Sequence, residues 1–221
     1  MRQSFRSLHA CLGRYATAYP RDNGAIGPHE AVERFLADSR NSPNDTYRDT
    51  RHGGASYFAE AVRTGLLTPQ QFQVMLERGA DPLSLDYFGN LAVLSLANEG
   101  AHQVVLMDAG YDLHTSGADG RTLLHAAAES QYFYHRILLP HADPALDWKD
   151  RSGMTPLACA LQHQLHRGGL PDLDRLTRLI DKFGVDAKAV EQALLTADLT
   201  ILRYLVQQGA DLNAGVMPLA A

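Results

Sequence analysis

Apolar positions along this chain recur at three- and four-residue spacing in short runs, and glycine or proline closes most of the runs. Val32, Phe35 and Leu36 fall on one face after Pro28, which predicts a helix over 29–38. Phe58, Ala59, Ala61 and Val62 predict another that stops at Gly65. Thr68 and Pro69 open the next, with Thr68 as cap and Pro69 at the first helical position, and Phe72, Met75 and Leu76 form its stripe. The alternation of paired helices continues. Leu91, Val93, Leu94, Leu96 and Ala97 lead to Gly100, and a helix over 101–109 follows. Leu124, Ala127 and Ala128 precede a helix over 133–139 that Pro140 cuts. Leu157 starts another pair, whose second helix over 172–183 buries Leu173, Leu176, Leu179 and Ile180. A last pair spans 187–195 and 199–208. Residues 39–52 are polar and predict a long exposed loop, and 167–171 read as an insertion between helices.

Two stretches share a longer pattern. Asp119 to Ala128 reads Asp-Gly-Arg-Thr-Leu-Leu-His-Ala-Ala-Ala, and Gly153 begins Gly-Met-Thr-Pro-Leu-Ala-Cys-Ala. Gly54, Gly89, Gly120 and Gly153 stand 35, 31 and 33 residues apart. Gly79-Ala80-Asp81 and Gly209-Ala210-Asp211-Leu212-Asn213 end two of the pairs. These motifs resemble the ankyrin repeat, with its turn glycine, its Thr-Pro-Leu-His-x-Ala and its period of about 33 residues. The resemblance implies an all-α ankyrin-repeat solenoid of about five to six helix-turn-helix units with short projecting hairpins. It implies a degenerate first unit plus polar loop over 1–53, serving as an N-terminal cap, and an array over 54–221 ending in a truncated unit. An engineered end, or a face that a partner covers, would leave the same terminal residues. Small residues are expected where inner helices meet, and Ala61, Ala127 and Ala160 supply them. Leu96 does not, which implies a locally wider or repacked third unit. The sixth unit enters its inner helix from Asp186 without the usual hairpin.

Composition narrows function. The 221 residues are 45% hydrophobic and 20% charged, ordinary for a folded domain. A net charge of −5 argues against a nucleic-acid surface, which needs clustered cations. No apolar run reaches membrane-span length. Cys11 and Cys159 form no Cys-x-x-Cys pair, so a reducing, cytoplasmic setting is expected, with secretion into a host cell as the alternative. The first 21 residues carry four arginines and no acid, a transit-peptide composition that also suits a first helical unit.

Catalytic chemistry is hard to find. No phosphate loop, nucleophile elbow, zinc helix or kinase signature is present. His163 and His166, with Asp172 and Asp174 nearby, fall short of a supported metal set. His125 is read as a structural histidine, Cys159 as a small core residue, and Cys11 with His9 as lacking an orienting group. No catalytic residue, metal or cofactor is therefore assigned.

The resemblance places partner contacts on hairpin tips and the exposed side of inner helices. These are two residues before each turn glycine, one after it, and the ninth and tenth after it. On this chain the candidates are Tyr87, Phe88, Asn90, Asn98 and Glu99, then Asp119, Arg121 and Glu129, then Arg151 and Met154, with Trp148 just before. Tyr, Trp and Arg are the types that anchor interfaces. The expectation is a non-catalytic module, monomeric alone, that binds a protein partner and neither nucleic acid nor membrane. An inhibitor or immunity-type role that masks a toxin or enzyme is its sharper form. A secreted effector is one alternative, and an enzyme using the N-terminal segment another.

Overall fold

The computed structural model describes residues 28–46, 54–167 and 170–215. The chain forms two compact units, Met1–Tyr111 and Asp112–Ala221. The expected boundary near residue 53 lies inside the first of these. The candidate first repeat before residue 28, with Cys11 and His9, lies outside the described residues, as does the end after Gly215.

In the first unit, α1 spans Pro28–Ala37 and buries Val32 and Phe35. Residues 39–46 are not the open loop expected from their polarity. Asn41 is buried and donates to the Phe35 carbonyl at 3.0 Å. Thr46 bridges to Ser56, while Tyr57 N–H reaches the Asp45 carbonyl and Phe58 N–H the Pro43 carbonyl, each at 3.0 Å. Polar side chains here satisfy backbone rather than solvent. Helix α2 spans Tyr57–Arg63, capped by Ser56, and α3 spans Pro69–Glu77, opened by a capping box between Thr68 and Gln71. Phe58 stacks on Phe72 with centroids 5.6 Å apart.

The third repeat departs from the expected helix. Ala92–Asn98 is a 3₁₀ helix, and Glu99 alone separates it from α4, Gly100–Asp108. Its spacing to the next turn glycine is the shortest in the chain. A 3₁₀ helix rises about 2.0 Å per residue against about 1.5 Å for an α-helix, so the same residues span more length. The repacking expected at Leu96 takes this form. Gln103, fully buried on α4, donates to the Leu96 and Ala97 carbonyls at 2.8 and 3.0 Å and caps the irregular end.

The second unit opens with α5, Leu123–Glu129. The helix expected over 133–139 shrinks to one turn, α6, His135–Leu138, and Pro140 turns the continuation into a 3₁₀ segment, Leu139–His141. Then come α7, Pro156–Arg167, and α8, Leu173–Phe183, with Asp172 as its cap. Helices α9, Ala187–Thr196, and α10, Leu199–Gln207, complete the unit with a 3₁₀ turn, Leu212–Gly215. Leu157, Leu161, Leu176, Leu179, Ala189, Ala193, Ile201 and Leu205 share one core. Asp186 caps α9 and accepts from the Thr155 hydroxyl at 2.7 Å, doing for the sixth repeat part of what a hairpin does elsewhere.

A buried arginine also holds this unit. Arg175 on α8 donates to the carbonyls of Ala128, Ser130 and Gln131 at 3.0, 2.7 and 3.2 Å, and Asp172 pairs with it at 3.2 Å. Those carbonyls are the orphans left where α5 ends, and a cation there also meets the helix dipole. The sequence reading did not single it out.

Candidate partner-binding surfaces

The candidate residues fall into two sets, one in each unit. In the first, a tight turn runs from Asp86 to Asn90. Asp86 N–H bonds the Asn90 carbonyl at 2.8 Å, and its carboxylate accepts from Phe88 and Asn90 N–H at 2.8 and 2.9 Å. Gly89 takes the positive φ of 79° that the turn needs. At this tip Tyr87 is 45% and Phe88 68% exposed. The rings meet edge to face, centroids 5.1 Å apart at 77°.

Two residues that the sequence did not flag fix the tip. Glu60 on α2 is 3% exposed, and its carboxylate accepts from Tyr87 N–H at 2.9 Å. Arg63, one turn on, pairs with Glu60 at 2.8 Å and lies over the Phe88 ring, 5.6 Å from its centroid. The i,i+3 spacing of Glu60 and Arg63 was visible, but nothing in the sequence ties them to Tyr87. Asn90, Asn98 and Glu99 are exposed as expected.

In the second unit the tips serve packing. Asp119 accepts from Arg121 N–H at 3.0 Å through its side chain and from Arg151 N–H at 2.9 Å through its carbonyl. A Cβ on Gly120, whose φ is 80°, would sit 2.9 Å from Arg151 N. Arg121 reaches Glu129 at 2.5 Å, and both are partly exposed. Arg151 is exposed. Trp148 and Met154 leave the surface set, being 5% and 7% exposed. The indole N–H donates to the Asp143 carbonyl at 2.7 Å, and the ring packs on His114 and Phe183 with centroids 5.0 and 5.7 Å away.

The groups examined for chemistry have structural partners. His125 is fully buried. Its Nδ1 accepts from Thr122 N–H at 3.2 Å, so Nε2 carries the proton and donates to the Trp148 and Met154 carbonyls at 3.0 and 3.1 Å. Burial pushes its pKa down, although the two carbonyls oppose this. Burial raises the Cys159 thiol well above its ordinary range, and the Glu129 carboxylate adds to the rise, which disfavours a nucleophilic thiolate. At the next tip, burial works to raise the Asp150 carboxyl, but hydrogen bonds from Ser152 and from Met154 N–H outweigh it and leave the pKa lowered. Among the described residues no group of three His, Cys, Asp or Glu stands ready to hold a metal ion, and no helix is long and apolar enough to cross a membrane.

No family model matches the chain. Rabankyrin-5 of Homo sapiens is 29% identical over 115 residues, and Rabankyrin-5 of Mus musculus 27% over 115. Each match covers 50% of this chain and spans 10% of that much longer relative. Among solved structures, the ankyrin repeat domain of Bcl-3, a unique member of the IkappaB protein family, superposes with a TM-score of 0.60 at 23% identity. That match covers 94% of this chain and 86% of the other. Turn glycines at positive φ and paired short helices agree with it, and the chain has the ankyrin-repeat fold.

Proposed function

We propose that the chain is a non-catalytic module that binds a protein partner through the hairpin tip at Tyr87 and Phe88, with Arg63 and Asn90 beside it and Asn98 and Glu99 at the far end of the 3₁₀ helix that follows. The observation that carries this reading is the exposed aromatic pair on a turn whose N–H groups from Asp86 to Asn90 are all bonded. Two large rings, 45% and 68% exposed at one tip, are more apolar surface than a solvated turn needs. Because Asp86 and Glu60 hold the turn in place, little ordering cost remains for binding. Aromatic residues beside an arginine are the composition of interface anchors.

In its finer form the partner is an enzyme or toxin held silent. The net charge of −5 favours a basic partner surface and faster encounter with it. The test is affinity capture from the native source with the tagged chain and with Tyr87→Ala/Phe88→Ala, bound proteins being identified by mass spectrometry. One stoichiometric partner, lost in the variant, is expected. Equal capture by both proteins would contradict the assignment of the tip.

A further inference from the structure

A cavity of about 290 Å³ opens in the first unit where α2 and the 3₁₀ helix Ala92–Asn98 end. Val62, Leu67, Phe72 and Leu96 give it apolar walls, and Glu99 and His102 its polar end. His102 is 8% exposed, and its ring stands edge-on to Phe72 with centroids 5.5 Å apart. Its Nε2 lies 2.9 Å from the Leu67 carbonyl. A carbonyl only accepts, so Nε2 carries the proton and Nδ1 of the neutral ring holds a lone pair. That Nδ1 is buried and has no hydrogen-bond partner among the described residues. Facing it at 3.7 Å is Oε2 of Glu99, on a side chain 56% exposed that pairs with no Lys or Arg among the described residues. With the ring neutral, two acceptors confront each other at the end of an apolar cleft.

We propose that this cavity takes a primary ammonium, the head of a lysine side chain presented by the protein partner. The inference rests on the binding reading above and names one chemical feature of that partner. An ammonium carries three N–H donors on one atom and no acceptor, so a single nitrogen serves both Glu99 and Nδ1 once the half-exposed carboxylate swings aside to admit it. The four-carbon stem of lysine lies along Leu67, Phe72 and Leu96. A guanidinium suits the site less well. Its donors are fixed in one plane, so a parallel N–H pair set on the carboxylate dictates where the remaining N–H groups point, whereas an ammonium turns freely to meet Nδ1. Arg63 lines the cavity too, but buried Glu60 takes up its charge at 2.8 Å, which reduces repulsion of an incoming cation.

The test is an NMR titration of the full chain at neutral pH, following the His102 ring nitrogens and the Ser95 and Glu99 amides. The probes are Nα-acetyl-lysine N-methylamide and its arginine and norleucine counterparts. The lysine probe is expected to give a saturable shift at Nδ1, the arginine probe a weaker one and the norleucine probe none. Glu99→Gln is expected to weaken the lysine response about tenfold while leaving the rest of the spectrum in place. No saturable shift, equal responses to lysine and arginine, or a response that survives Glu99→Gln would overturn the proposal. So would an Nδ1 already protonated in the free chain, which would pair with Glu99 unaided. Because the probes are read at the His102 ring and not by partner capture, their failure with capture by Tyr87 and Phe88 intact would remove the lysine site and keep the binding module.

Discussion

The tips at Tyr87–Phe88 and at Ala118–Asp119 hold the same register position in their repeats, the two residues before the turn glycine. In the first unit the tip carries two aromatic rings into solvent, held from beneath by Glu60 and flanked by Arg63. In the second unit the tip lies against the Asp150–Arg151 backbone, and Trp148, the aromatic of its neighbouring hairpin, is packed between His114 and Phe183. The repeat fixes where a tip goes, but one or two side chains from an adjoining element decide whether it displays apolar surface or seals it. A repeat fold can therefore confine binding to one hairpin without changing its backbone plan.

The sharpest way to break this comparison is to load both turns. Gly120→Val meets a positive φ and the Arg151 backbone together, and about 3 kcal/mol of stability should be lost in urea unfolding. Gly89→Val meets the same φ with none of the described residues beyond its chain neighbours within 4 Å, so about 1–2 kcal/mol is expected. Equal losses would mean that the second tip is no more enclosed than the first.

Next come the two polar side chains that finish irregular helix ends. Arg175→Met strands the buried carbonyls of Ala128 and Ser130 and should cost about 2–3 kcal/mol, while Gln103→Leu should cost about 1 kcal/mol. A smaller effect concerns pH. Burial holds His125 below its ordinary pKa, so below about pH 6.5 the unfolded chain takes up a proton that the folded chain refuses. The stabilisation is present above that value and is lost as pH falls toward the folded pKa. His125→Gln keeps a donor and an acceptor without titrating, and its unfolding midpoint should vary less over that window.

The regular parts of the fold could be read in advance because their causes are local. Thr68 with Pro69, Asp172 at the start of α8, and the turn glycines at 54, 89, 120 and 153 act within four residues, and all hold. The misses have distant causes. Trp148 stands between Asp147 and Lys149 and reads as surface, yet His114 and Phe183 bury it. Arg175 reads as a solvated charge, yet it is buried because α5 ends with carbonyls in need of donors. The 3₁₀ helix Ala92–Asn98 shares its i,i+3 apolar spacing with an α-helix, so periodicity does not separate the two. Of the candidate surface, exposure at Tyr87 and Phe88 follows from the turn register, while Glu60 and Arg63 beneath them do not.

The most direct measurement is a matched urea unfolding of Tyr87→Ala/Phe88→Ala and Trp148→Ala. The displayed pair should leave stability within about 0.5 kcal/mol of the parent chain, and loss of the packed indole should cost about 3–5 kcal/mol. A double variant that unfolds as readily as Trp148→Ala would show the rings at 87 and 88 to be core, and the binding assignment would fall with it.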